Sequence, residues 1–228
     1  MNVSKKKLIL QYVFLLLVLI SCHKEIKSEK GGIDLISNVY FDASKGLDKI
    51  QNFHLSKINY QNDSIIEMVP DLEFPEMTAA TYFIKDSVFY ELENQKCPSL
   101  FSEIKKKHRP RSVYNKARGA VFTKEPLLNY RNRRTLSDTV LFKKNYKRFE
   151  INSPWSYTRY YIYPTDTIFP YALYSEVGRD YRGRIERIDS YDKKKDIFVT
   201  LQLIPRNHWD DTAKEIFEFN HFVKNRRK

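Results

Sequence analysis

Cysteine and glycine are scarce in this sequence, and no apolar run is long enough to cross a bilayer as a helix. Two cysteines in 228 residues, Cys22 and Cys97, permit at most one internal disulfide. Only six glycines are present. Loops that cradle phosphate need glycine for close backbone approach, so this scarcity argues against nucleotide binding. No G-x-S-x-G, H-E-x-x-H, phosphate-loop or paired-cysteine pattern occurs. His23, His54, His108 and His221 are scattered without ligand spacing. His208-Trp209-Asp210-Asp211 alone has metal or acid–base flavour, but a metal site needs further ligands, and two acids also suit the start of a helix. No catalytic residue, metal or cofactor is expected on these grounds, and an active site assembled only by the fold stays open.

The longest apolar stretch, Leu8 to Ile20, has 13 residues and includes Gln11. As a helix it covers roughly 20 Å, against the ~30 Å of a hydrocarbon core. It follows Lys5, Lys6 and Lys7 and is followed by mixed charge from His23 to Lys30, a layout of an export signal rather than a stop-transfer helix. Its last four residues, Leu19-Ile20-Ser21-Cys22, resemble the lipobox of bacterial lipoproteins. That resemblance implies a signal peptide over 1–21, a diacylglyceryl group on the Cys22 thiol and cleavage just before it. An uncleaved anchor and a Cys22–Cys97 bridge are the competing readings. By the same resemblance, His23 in place of an aspartate favours the outer membrane, and the lack of an acidic run favours its periplasmic face. Cys97 is then unpaired and reads as a small packing residue, with a nucleophile as the other reading.

Residues 22–32 read as a tether ending in Gly31-Gly32, and residues 33–228 as one globular domain. Aromatic content is 14%, too rich for a disordered chain. Net charge is +12 for the whole chain; removing three lysines and no acid with residues 1–21 leaves +9. The excess is local. Between Lys105 and Arg134 stand 11 lysines and arginines and one acid, Glu125, a balance of +10. Lys105, Lys106, Lys107, Arg109, Arg111, Arg131, Arg133 and Arg134 are therefore candidate contacts for an anion or a membrane surface, with Lys116 and Arg118 in the same segment. The anions open to an exported protein are lipid phosphates, lipopolysaccharide and acidic glycans; nucleic acid is not among them. The bland reading is a solvated loop.

Most of the remaining pattern is β. Hairpins are expected around Gln61-Asn62-Asp63, Lys85-Asp86, Lys144-Asn145 and Pro164-Thr165-Asp166, the last with Thr167 to Tyr174 returning. Asp196 to Ile204 alternates strictly, and its partner Arg184 to Tyr191 needs a bulge near Glu186-Arg187 to match. Trp155, Tyr157, Tyr160, Tyr161, Tyr163, Phe169, Tyr171 and Tyr174 form an aromatic belt, either a binding platform or ordinary cross-strand packing. A short helix is expected over Ser99 to Lys107. A second, of three turns, begins with the capping box Thr212-Ala-Lys-Glu215 and carries the stripe Ile216, Phe219, Phe222, Val223.

The expected fold class is α+β and mainly antiparallel β: a curved sheet built from hairpins with a C-terminal helix packed on it. This layout looks like the lipoprotein-carrier half-barrels, which implies a helix across the mouth of the sheet. The expected function is that of a lipid-anchored envelope lipoprotein with a non-catalytic binding or structural role, its partner a protein, lipid or glycan. The alternative is an envelope hydrolase or lipid carrier whose residues converge only in three dimensions.

Overall fold

The structure, a computed structural model, describes residues 25–92 and 100–226. Cys22, Cys97 and the start of the expected tether lie outside them. Thirteen strands and three helices follow in order. They are β1 (Ile26–Lys27), β2 (Lys30–Phe41), β3 (Ile50–Gln61), β4 (Ser64–Pro70), β5 (Thr78–Lys85) and β6 (Val88–Leu92). Then come α1 (Phe101–Lys107), β7 (Arg111–Ser112), β8 (Arg134–Leu141), β9 (Lys144–Asn152), β10 (Ser156–Pro164) and β11 (Thr167–Ile168). The chain ends with α2 (Ser175–Tyr181), β12 (Gly183–Asp192), β13 (Ile197–Arg206) and α3 (Asp211–Arg226).

Eleven strands form one open sheet in the order β7-β6-β5-β4-β3-β2-β13-β12-β10-β9-β8. Every neighbouring pair is antiparallel. The chain thus starts at the middle of the sheet, walks to one edge, crosses to the other and walks back, so that β13 closes against β2 from Ile197↔Phe41 to Arg206↔Gly32.

Alternation along the strands gives the sheet two apolar faces. The first carries Ile33, Leu35, Ile58, Tyr60, Tyr82, Phe149, Ile162 and Leu203, and is covered by the crossing segment around 113–130 and by the segment 165–181. The second carries Ile66, Met68, Phe83 and Tyr90 and is covered by α1 and α3 through Ile104, Ala213, Ile216 and Phe217. Phe101 stacks on Phe83 with ring centroids 4.4 Å apart, which docks the short α1.

The expected fold class is the one observed, and the bulge sits where the broken alternation required it. Tyr161 opposes Arg187 while Ile162 opposes Ile185, leaving Glu186 as the extra residue and both Ile185 and Ile188 on the first face. Other expectations need correction. Two hairpin turns fall at Asp86-Ser87 and Phe142-Lys143, because the flanks pair as Lys85↔Val88 and Leu141↔Lys144. All four turn residues have φ between 51° and 63°, as two-residue turns matched to strand twist demand. No hairpin forms around Pro164-Thr165-Asp166. Thr167–Ile168 instead pairs in parallel with Ile26–Lys27; Pro170 has no N–H to donate, and Tyr171 and Leu173 turn into the first core.

The tether is shorter than expected, since Gly31 and Gly32 are inside β2. A Cβ on Gly31 would stand 2.7 Å from both the Arg206 carbonyl oxygen and the Tyr60 hydroxyl, so glycine there permits close packing rather than flexibility. The C-terminal helix has 16 residues and buries Ala213, Ile216 and Phe217, while Phe222 stays 52% exposed. It packs on the second face, against Ile66, Met68, Phe83 and Tyr90.

Candidate functional site

Between the first face and the segment that follows β10 lies a cavity of about 620 Å³. Its floor is Ile33 of β2, Ile185 of β12 and Leu203 of β13, and its roof carries Ile168, Phe169 and Leu173. The cavity exists because the chain after β10 arches over the sheet instead of returning as a strand. Pinning of the arch is extensive. Tyr171 donates to the Val121 carbonyl at 3.1 Å, Tyr174 N–H to Thr123 Oγ1 at 3.2 Å, and Glu176 accepts from Leu127 N–H at 2.6 Å. Tyr130 donates to Asp180 at 2.9 Å, and β1 clamps the near end through Thr167 and Ile168.

The mouth is basic. Arg179 and Arg182 are exposed at the end of α2, and Arg184 follows on β12. Arg184 donates two hydrogen bonds to Glu186 Oε1, at 2.7 and 2.9 Å, and its guanidinium lies 4.3 Å from the Phe169 ring. Glu25 and Asp166 are the other acids of the lining. Burial pushes the phenol of the lining residue Tyr171 far above its ordinary range, and burial likewise raises Tyr60, a core residue beside Phe169 whose hydroxyl is 2.8 Å from Ser28 Oγ. The described lining holds no histidine or cysteine. Among the described residues, no group of three or more His, Cys, Asp or Glu is placed to hold a metal. What this arrangement can do is take up an apolar body and hold an anionic or polar end at the arginines.

The basic segment divides into exposed and paired cations. Lys105, Lys106 and Lys107 are exposed on α1, on the second face, and Arg109 and Arg131 are exposed as well. Acids on neighbouring strands and on α2 pair with several of the others. Arg111 pairs with Glu91 at 2.5 Å, Arg134 with Glu150 at 2.6 Å, and Arg133 with Asp180 at 3.4 Å while stacking 4.0 Å from the Tyr130 ring. Lys116 is buried against Glu67. Four of the segment's cations, Arg111, Lys116, Arg133 and Arg134, are thus paired with acids, and Lys105, Lys106, Lys107, Arg109 and Arg131 are exposed. The aromatic belt is mostly packing, with Tyr160, Tyr161 and Tyr171 buried and Tyr160 stacked 4.6 Å from Phe149. Asp210 works at the start of α3: its carboxylate accepts from Asn59 and Arg206, each at 2.9 Å, and its carbonyl accepts from Lys214 N–H.

Sequence reasoning passed over Arg179, Arg182 and Arg184, together with the roof residue Leu173. The string Arg179-Asp-Tyr-Arg182-Gly-Arg184 is a visible signal, but nothing in it announces a neighbouring cavity.

No protein-family model matches the chain, and no curated protein matches it. Among solved structures it is similar to LprF from Mycobacterium bovis, at 8% identity and a TM-score of 0.34 over 77% of this chain and 83% of that one. A domain described as an outer membrane lipoprotein-sorting protein, from Vibrio parahaemolyticus, aligns at 11% identity with a TM-score of 0.28 over 88% and 93% of the two chains.

Proposed function

We propose that this protein is a membrane-tethered, non-catalytic binding protein of a bacterial envelope, which holds the apolar part of an amphiphile such as a lipid in the cavity under α2. The observation that carries the reading is the cavity itself: about 620 Å³, apolar within, with Arg179, Arg182 and Arg184 at its mouth. That volume lies inside the range of ~300–1,000 Å³ typical of small-molecule sites, and each methylene moved from water into it is worth about 0.8 kcal/mol. The lipobox-like Leu19-Ile20-Ser21-Cys22 supports the tether. Glu25, which lines the cavity, is three residues from Cys22 in the sequence. An outer-membrane anchor agrees with His23 after the cysteine, and a periplasmic orientation with the lack of an acidic run there.

The test is native mass spectrometry of the protein purified from its membrane, with extraction and identification of any bound lipid. A co-purifying amphiphile is expected, and Leu173→Trp, which fills the cavity, is expected to remove it. A protein that carries none, and that also fails to bind added phospholipid or fatty acid, overturns the reading. Labelling with a fatty-acid analogue, retained in the native sequence and lost in Cys22→Ser, tests the tether separately.

A further inference from the structure

Strands β12 and β13 are paired only from Arg187↔Gln202 to Asp192↔Ile197. Each runs on for four more residues while keeping its other neighbour, β12 against β10 as far as Gly183↔Pro164 and β13 against β2 as far as Arg206↔Gly32. The sheet therefore forks inside its own plane. Two local features prevent these strands from zipping further. The bulge at Glu186, made where β12 pairs with β10, kinks β12 at that point, and Pro205 has no N–H to offer.

Cavities flank the fork on both sides. The cavity under α2 is lined there by residues 183–186 of β12 and by Leu203 and Pro205 of β13. A second cavity, of about 320 Å³, is lined by Ile204 on the second face and by Leu141, Phe142 and Tyr146 of the β8–β9 hairpin. Glu186, Leu203 and Pro205 line both. The second cavity also explains an oddity of the hairpin. Phe142 occupies a turn position at φ 51° and is 70% exposed, where a bulky side chain is rarely found. Its ring forms a wall of the second cavity.

Taking the lipid reading as its basis, we propose that the fork is a passage between two ligand compartments. The ligand that fits is an amphiphile with two apolar branches, one under α2 and one in the second cavity. Its polar junction sits in the fork beside Glu186. That carboxylate accepts from Arg184 at 2.7 Å, Tyr146 at 2.9 Å and Lys144 at 3.1 Å, so the ester and phosphate oxygens of such a junction meet the Arg184 and Lys144 donors gathered there between the two apolar compartments. A single-chain amphiphile fills one compartment and leaves the other empty.

Photolabelling of the full-length protein distinguishes these cases. The probes are a phosphatidylglycerol with a diazirine at the end of one chain and palmitate with the same group. The phosphatidylglycerol is expected to label peptides containing Phe169 to Leu173 and also peptides containing Phe142 or Ile204, and palmitate only the first set. Ile204→Trp, which fills the second cavity from a partly exposed position, is expected to weaken phosphatidylglycerol binding at least tenfold and leave palmitate unchanged. Phe142→Gly, which suits the turn backbone and opens the wall, is expected to keep the melting temperature or raise it while weakening phosphatidylglycerol about fivefold. Phosphatidylglycerol adducts confined to the first set, or variants that leave its affinity unchanged or weaken both probes equally, overturn the two-compartment proposal and leave the lipid reading standing. Failure of both probes to label either set overturns the lipid reading and this proposal with it.

Discussion

Lys116 and Glu67 form an ion pair with both side chains excluded from solvent, at 1% and 0% exposure. Glu67 also accepts from Ser56 Oγ at 2.8 Å and from the Ala120 N–H, so one carboxylate ties the crossing segment to β3 and β4. Burial pushes the Lys116 pKa down, and the adjacent Glu67 charge opposes that shift. The same segment carries Val121 and Thr123, which hold the roof of the cavity.

Removing one partner of this pair strands the other charge. Lys116→Met is expected to cost about 3–5 kcal/mol of stability, while Lys116→Met combined with Glu67→Leu costs much less than the two single changes together. Urea unfolding of the four proteins in a double-mutant cycle measures the difference. Equal and additive losses would remove the pair from the account of how the crossing segment is held.

Gly119 stands three residues from Lys116 with φ +79°, and a Cβ there would fall 2.2 Å from Glu67 Oε1 and 2.6 Å from Val69 Cγ2. Gly119→Ala is therefore expected to lose about 2–3 kcal/mol, from backbone strain and from displacement of the buried carboxylate together. The readout is the urea midpoint at constant m-value. A loss no larger than a few tenths of a kcal/mol would show that the loop relaxes freely.

At the cavity mouth, charge is expected to select the ligand's polar end. Arg179→Gln with Arg182→Gln removes two exposed cations, each worth about 1 kcal/mol toward an anionic lipid surface. Affinity for an anionic amphiphile should fall roughly thirtyfold at low salt and that for a neutral one little. The effect should shrink above ~0.1 M salt, where the Debye length is about 10 Å. Titration of both amphiphiles at two ionic strengths decides it, and equal losses for the two would point to a change in shape instead.

His54 supplies a pH dependence. Its pKa is pushed below the ordinary 6.5 chiefly by burial and also by Lys57, against the opposing pull of Asp34 and Asp210. Its ring nitrogen stands 3.6 Å from Asp34, which also pairs with Arg206 at 3.1 Å. With the folded value below the unfolded one, the unfolded chain takes up the proton first. The contribution is fully present above about pH 6.5 and is lost as pH falls through the lower folded value. Unfolding free energies between pH 7.5 and 5 should fall more steeply in the native protein than in His54→Gln. Parallel curves would exclude His54 as the source.

Much of the sheet was legible because strand pairing leaves a period-two trace in neighbouring residues. The alternation of Ile197, Val199, Leu201 and Leu203, and the interrupted spacing of Ile185 and Ile188, led directly to β13, to β12 and to the bulge that β12 makes against β10. Turn positions missed by one or two residues because Phe142 and Ser87 lack the chemistry that left-handed turns usually show. The stretch from Thr167 to Tyr174 was misread as a strand because its aromatic content fits either a strand or an arch packed on a core. Only the surroundings of Tyr171 and Leu173 separate the two.

The sequence by itself determined the class of the fold, the order of most strands, the existence of the last helix and the local excess of positive charge, all of which depend on residues near one another in the chain. Tertiary structure alone decided where those charges ended, what covers each face and where an apolar space remains. Glu67 meets Lys116 across 49 residues and Glu150 meets Arg134 across 16. The cavity joins Ile33 to Leu203 beneath a segment from neither strand. Contacts of that separation leave no periodic mark in one sequence, because they are set by the pairing of β13 with β2, which joins the two halves of the open sheet.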